Sequence, residues 1–315
     1  MKNWYYLKQG DIIDIVATTP GVKVATLKRD LTHLSSFVRN LGLEPRINFE
    51  SILKGANFFE EAAQAVRQEE LIKALKAKDS KAIWFIRGGY GTAQLLNQLS
   101  SVSPPENPKL LIGYSDINSL HLWVQKFWKW TGLHARVLYE YLETQDINDI
   151  ESLKNIIFGK QESISFDNLV PLNKHAQVNQ VIDSFIIGGT MQVLQSGIGL
   201  SWQFDAKDKI LFFEEIFDRG VRLERTLNHF KELGLLKDAR AIIFGDIICG
   251  KEIDGSETCN QAIKHFASKI DIPALHIPGI GHGALNHPLP LNTPSKLILK
   301  QNSAKLICSN GGKNV

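Results

Sequence analysis

In the first half of the chain, short apolar runs alternate with stretches whose apolar residues recur at helical spacing. The runs cover residues 12–18, 45–49, 82–86 and 109–113. Helical patterns follow at 24–41, 58–76 and 92–99. After the fourth run, Leu120, Trp123, Val124 and Phe127 share one helical face. Runs this short and apolar are strands covered on both faces. Strands separated by helices return in the same direction instead of pairing as hairpins. That predicts an α/β domain with a parallel sheet, of the flavodoxin or Rossmann kind. Ligands of such sheets bind beyond the carboxyl ends of the strands.

The second half reads differently. Residues 182–187, 210–214, 241–248, 296–299 and 305–308 have strand character, with helical patterns only at 223–233 and 259–270. This predicts a smaller, β-rich α/β domain. Residues 143–178 are polar and lack a sustained period, which reads as an extended linker. The expected division is an N-terminal domain over 1–142, a linker over 143–178 and a C-terminal domain over 179–315. Residues 309–315, rich in glycine and asparagine, are expected to fray.

With 315 residues, 43% of them hydrophobic, the chain can build two cores without disulfides. Cys249, Cys259 and Cys308 are odd in number, widely spread and free of a CxxC pair. Free thiols in a reducing compartment and no structural metal are expected. A formal charge of +3 without a Lys/Arg block argues against nucleic acid. No signal-peptide pattern opens the chain, and no apolar run approaches a membrane span. The expected location is the cytoplasm.

Chemistry concentrates at Leu110-Leu111-Ile112-Gly113-Tyr114-Ser115-Asp116. An apolar run ends at Gly113 and a helical pattern begins at Asp116. Ser115 therefore sits on a turn at the strand's carboxyl end and at a helix N-terminus. There it is exposed, and free N–H groups face developing negative charge, as a serine nucleophile requires. The bland alternative is an N-capping serine. The segment lacks the final glycine of G-x-S-x-G, since Ile117 stands there. Arg87-Gly88-Gly89-Tyr90-Gly91 also follows a strand and opens a helix. It is neither a dinucleotide fingerprint nor a Walker loop. An N–H of Gly88 or Gly89, with that of Asp116, would make an oxyanion hole.

A serine nucleophile needs a base, and the base needs an orienting acceptor. Of nine histidines, His33, His121, His229 and His265 fall on helical patterns and His175 in the linker. These helical histidines are expected as partly exposed or packing residues. His276, His282 and His287 are close together in a loop. His282 is flanked by glycines, which suits a side chain reaching into a cleft. The spacing does not fit a zinc site. The acceptor is Glu214 or Glu215, at the end of the apolar run 210–213. Alternation puts one inward and one outward without saying which. A salt bridge to Arg219, Arg222 or Arg225 is the expected role of the other, and Glu215 fits it better.

Taken in order, Arg87–Gly91, Gly113-Tyr114-Ser115-Asp116, Leu211-Phe212-Phe213-Glu214-Glu215 and Gly281-His282 resemble the LD-carboxypeptidases, the murein tetrapeptide carboxypeptidase family of serine peptidases. Gly10-Asp11 and Gly188-Gly189 also fit, so the resemblance spans nearly the whole chain. It implies a Ser–His–Glu triad of Ser115, His282 and Glu214, with Ser115 on the first domain and the other two on the second. It also implies removal of the terminal D-alanine of a muropeptide, a homodimer and no cofactor. A related branch of self-immunity peptidases cleaves peptidyl-nucleotide antibiotics with the same triad. A non-catalytic muropeptide-binding protein is the rival from another class, and an intact triad argues against it. The chain departs from the family at His134-Ala135-Arg136, where His-Gly-Pro is usual, and at Thr190, where the usual turn is Gly-Gly-Asn. Neither departure is expected to touch the triad, and Arg136 would add positive charge to the cleft.

Overall fold

The computed structural model describes residues 1–142 and 147–314. It contains two compact units, residues 1–161 with 311–315, and residues 162–310.

The first unit is built on a parallel sheet. Its strands lie in the order Glu44–Ile47, Ile12–Val16, Ser80–Phe85, Leu110–Ile112 and Gly132–His134. Every pairing among them is parallel, with Ile13 opposite both Pro45 and Ala82. In chain order this is the flavodoxin-like arrangement 2-1-3-4-5, whose direction of winding reverses between the first and third strands. Ala82 to Phe85 and Leu110 to Ile112 are fully buried, as strands covered on both faces must be. The helix Leu27–Asn40 buries Leu27, Leu31, Leu34 and Val38, a single stripe at helical spacing. Each such side chain contributes about 2 kcal/mol by leaving water. The helical pattern at 58–76 is the helix Glu61–Lys76, and a separate short helix, Phe49–Lys54, precedes it.

The second unit is a mixed barrel. Among the described residues, seven strands close in the order Ala241–Cys249, Ala274–Gly281, Ser163–Pro171, Ser303–Ser309, Pro294–Lys300, Gln180–Thr190 and Lys209–Asp218. Gln180–Thr190, Lys209–Asp218, Ala241–Cys249 and Ala274–Gly281 run parallel to one another, and the rest pair antiparallel. Inward-facing Ile186, Ile210, Phe212, Ile243, Leu275, Leu297 and Leu306 form the core. The hairpin 294–309 alternates buried and exposed residues, the mark of a half-buried strand pair.

The stretch read as a linker is structured where it is described. It holds the helix Ile147–Ile157 and the strand Ser163–Pro171, while 143–146 lie outside the described residues. The helix was missed because its buried apolar residues, Leu153, Ile156 and Ile157, fall only in its second half, and the buried residue near its start is the polar Asp149. The strand pairs with residues more than a hundred positions away, a signal that local periodicity does not carry. The expected fraying of 309–315 is also corrected. Gly312–Lys313 pair with Trp4–Tyr5, and Tyr6 N–H donates to Lys313 O at 3.0 Å. The expectation of free thiols fails for two cysteines. Cys249 and Cys259 are joined in a disulfide, Cα to Cα 5.8 Å, and Cys308 is free and buried. Adjacent strand and helix ends bring the pair within bridging range despite its ten-residue separation. No described helix is long and apolar enough to cross a membrane.

Candidate active site

In the first unit, Ser115 follows Tyr114, whose backbone is extended, and itself adopts φ 61. A left-handed conformation is strained for a residue with a Cβ, and such strain concentrates at functional sites. One 3₁₀ turn, Ser115–Ile117, then feeds the helix Asn118–Phe127. The turn is tied down on several sides. Asp116 Oδ2 accepts from Thr92 N–H at 2.7 Å, and burial raises this carboxyl above its usual range. Thr92 Oγ1 bonds Thr18 Oγ1 at 2.8 Å. His121 Nε2 donates to Gly113 O at 2.9 Å. His121 is completely buried, and desolvation lowers its pKa to about 4, so the ring is neutral at physiological pH. It is a prop under the strand end, the packing role among the two expected for the helical histidines.

Gly88 lies against the serine. A Cβ added there would come within 2.8 Å of Ser115 Cβ and 2.9 Å of its Oγ. Only glycine lets the backbone approach so closely. Thr19 Oγ1 donates to Gly88 O at 2.7 Å and holds the loop in place. Gly89 has φ 116, which an L side chain rarely adopts. The first unit therefore brings together Ser115, Asp116, Gly88 and Gly89.

The second unit brings together Glu214 and His282. Glu214, on Lys209–Asp218, is fully buried, and its Oε2 bonds His282 Nδ1 at 2.6 Å. Its other oxygen accepts from Thr190 Oγ1. A buried carboxylate is costly unless paired, and these two partners supply that pairing. Gly281 has φ 131, and a Cβ there would sit 3.1 Å from Glu214 Cβ and Oε2. Glycine at 281 lets the chain pass over the carboxylate and turn His282 onto it. His276 belongs to the strand Ala274–Gly281 instead of a loop, and His282 follows its end.

Sequence reasoning missed three supporting residues. Thr190, expected to stand clear of the triad, touches Glu214 directly, because it is the register partner of Glu214 on the neighbouring strand. Asp246 sits where the register of Ala241–Cys249 shifts, and both its oxygens accept from Gly279 N–H at 3.2 Å. Asn286 Oδ1 accepts from Gly281 N–H at 3.1 Å. These two hold both ends of the turn leading to His282. Among the described residues, Glu215 forms no arginine pair. It is buried, accepts from Gln192 N–H at 2.7 Å and Ile216 N–H at 2.9 Å, and desolvation pushes its pKa up to about 7. Arg222 pairs with Asp218 instead, at 3.3 Å. Arg136 adds no charge to a cleft. It is buried on Asp149 at 3.0 Å and Glu140 at 3.4 Å. Among the described residues, no cluster of three His, Cys, Asp or Glu has the makings of a metal site.

Two family profiles match, the LD-carboxypeptidase N-terminal domain over residues 13–135 and the LD-carboxypeptidase C-terminal domain over 183–297. The chain belongs to the LD-carboxypeptidase family. A Rickettsia conorii protein assigned as a carboxypeptidase is 36% identical over 296 residues, covering 94% of this chain and 90% of that protein. The murein tetrapeptide carboxypeptidase of Pseudomonas aeruginosa is 27% identical, covering 71% of this chain and 74% of the relative. Among solved structures, the muramoyltetrapeptide carboxypeptidase of Oxalobacter formigenes has a TM-score of 0.77 at 20% identity, covering 96% of this chain and 100% of that one. The microcin C7 self immunity protein MccF has a TM-score of 0.81 at 16% identity, covering 99% and 100%. At these identities the structural likeness establishes the fold. Family membership establishes a peptidase lineage.

Proposed function

We propose that this chain is a serine LD-carboxypeptidase that removes the terminal D-alanine of a murein tetrapeptide during peptidoglycan recycling in the cytoplasm, as a homodimer without a cofactor. The observation that carries the reading is the Glu214–His282 bond at 2.6 Å in a chain whose Ser115 holds a left-handed turn at the end of a parallel sheet. Glu214 on Nδ1 makes Nε2 the ring nitrogen that exchanges protons with Ser115. Ser115 Oγ attacks the carbonyl carbon before D-alanine while His282 takes its proton. The oxyanion is held by Asp116 N–H and by the N–H of Gly88 or Gly89. Collapse expels the D-alanine amine, which receives the proton from His282. Water then releases the acyl group by the reverse sequence.

The murein-directed relatives support this substrate class. The test incubates the protein with a muramoyl tetrapeptide and with an aminoacyl-sulfamoyl nucleoside, following release by mass spectrometry. D-alanine release that vanishes in Ser115→Ala is the expected result. Cleavage of the nucleoside conjugate alone would move the chain to the self-immunity branch. Binding of the tetrapeptide without cleavage would make it a binding protein.

A further inference from the structure

A carboxypeptidase must tell a chain end from a chain interior, and the chemical difference is a terminal carboxylate. The first unit holds a guanidinium placed for it. Arg87 is half-buried and opens the loop that presses Gly88 against Ser115. Its Nη1 donates to Gly21 O, and its Nε donates to Gly88 O at 3.3 Å. Both acceptors are backbone carbonyls. No carboxylate among the described residues pairs with Arg87, although the ion pairs of Arg46, Arg136 and Arg222 are all formed. The nearby acid, Asp30, is engaged by Thr26, Arg29 and Tyr139. Arg87 Nη2 points over Gly89, where an added Cβ would meet only that atom, at 3.9 Å.

The place matters as much as the missing partner. Gly21 follows the strand Ile12–Val16 and Arg87 follows Ser80–Phe85, the two strands between which the winding reverses. That crevice is where sheets of this type bind ligands. Phe58 packs on the same glycine, since a Cβ at Gly21 would meet its ring at 2.7 Å and Arg87 Nη1 at 2.9 Å. The half-exposed Phe58 ring borders the guanidinium on the Gly21 side. Two backbone carbonyls fix the fork, so little rotamer freedom remains to be lost on binding.

We infer that Arg87 is the specificity residue that receives the carboxylate of the substrate's terminal residue, through Nη2 and the remaining Nη1 hydrogen. The inference rests on the carboxypeptidase reading above. By bond lengths, a terminal carboxylate lies about 4–5 Å from the carbonyl carbon under attack, one residue's reach. Arg87 Nε bonds the carbonyl of Gly88, the same glycine that packs on Ser115, which places the fork beside the nucleophile's own neighbour.

The experiment compares a tetrapeptide ending in free D-alanine with the same peptide ending in D-alaninamide, using wild type, Arg87→Gln, Arg87→Lys and Arg87→Ala. A small neutral fluorophosphonate reports separately on Ser115. Wild type is expected to prefer the carboxylate by about 100-fold in kcat/KM, the scale of hydrogen bonds to a charged group. Arg87→Gln is expected to raise KM for the carboxylate substrate and bring the preference close to one. Arg87→Lys is expected to recover part of the preference, and guanidinium ion to restore it partly in Arg87→Ala. A preference that stays near 100 in Arg87→Gln overturns the role of Arg87. So does a loss of fluorophosphonate labelling in both Gln and Lys variants, which would make Arg87 a structural pin. Wild type that labels at Ser115 yet cleaves neither peptide, releasing neither D-alanine nor D-alaninamide, would overturn the carboxypeptidase reading itself, a result that no Arg87 variant can produce.

Discussion

Ser115 and the Glu214–His282 pair are held in place by opposite means. Ser115 is set mainly by backbone, a left-handed turn, a glycine pressed against it and a 3₁₀ start to a helix, with Asp116, Thr92 and His121 bracing the turn from behind. Glu214 and His282 depend on side chains. A threonine from one strand, a carboxylate from the next and an imidazole after a fourth meet in one buried network. Backbone geometry survives most neighbouring substitutions, whereas a buried polar network fails when one member goes, because the remaining groups lose partners they cannot replace with water.

The largest effect should come from the reacting groups. Ser115→Ala and His282→Ala are each expected to lower kcat by about 10⁵-fold or more, with an unchanged melting temperature for the serine variant. Substantial D-alanine release by either would remove it from the triad. Glu214→Gln should cost about 10⁴-fold, because an amide can no longer hold and stabilise the imidazolium. Steady-state kinetics across pH would show whether the loss lies in kcat. Thr190→Val should cost less, about 10-fold, and should also lower stability by about 1–2 kcal/mol by stripping a buried carboxylate oxygen of its donor. If Thr190→Val were silent in both assays, the second half of the site would be less networked than the structure implies, and the contrast with Ser115 would weaken.

The smallest catalytic effect belongs to Glu215→Gln, within about threefold in kcat, because the amide keeps an oxygen for the N–H groups of Gln192 and Ile216 and Glu215 is no member of the triad. Its signature is in stability against pH. Burial raises the folded pKa of Glu215 from 4.5 to about 7. The folded state therefore binds this proton more tightly than the unfolded state. Its stabilising contribution is complete below the unfolded value near 4.5 and is lost as pH rises through about 7. The gap in unfolding free energy between Glu215→Gln and wild type should widen by about 3 kcal/mol between pH 4 and pH 8. Denaturant titrations at those two pH values read it, and a constant gap would mean that the carboxyl stays solvated.

What was legible in the sequence follows the same division. Ser115 and the parallel sheet are local signals: apolar runs, turns and helical spacing within one window. Glu214 and Glu215 could not be separated by alternation, because both are buried, each by its own partners. Thr190 was invisible as a support because its contact depends on the pairing of two strands. Asp246 was missed because it stands at a shift in register, where simple alternation gives no guidance. The disulfide was missed for a related reason, since spacing alone does not show that Cys249 and Cys259 end adjacent elements.

The return of residues 311–314 to the first unit has a consequence for biosynthesis. Trp4 and Tyr5 wait for Gly312 and Lys313, and Thr131 waits for Gly311, whose carbonyl accepts from its hydroxyl at 3.3 Å. Everything between residues 162 and 310 emerges from the ribosome before those partners exist. At about 5–20 residues per second, roughly 10–30 s of translation pass in between. Through that interval the unit that started first has an open seam, and the barrel also stays open until Ser303–Ser309 is made to pair with Ser163–Pro171. Both units are therefore closed by one short stretch, residues 303–313.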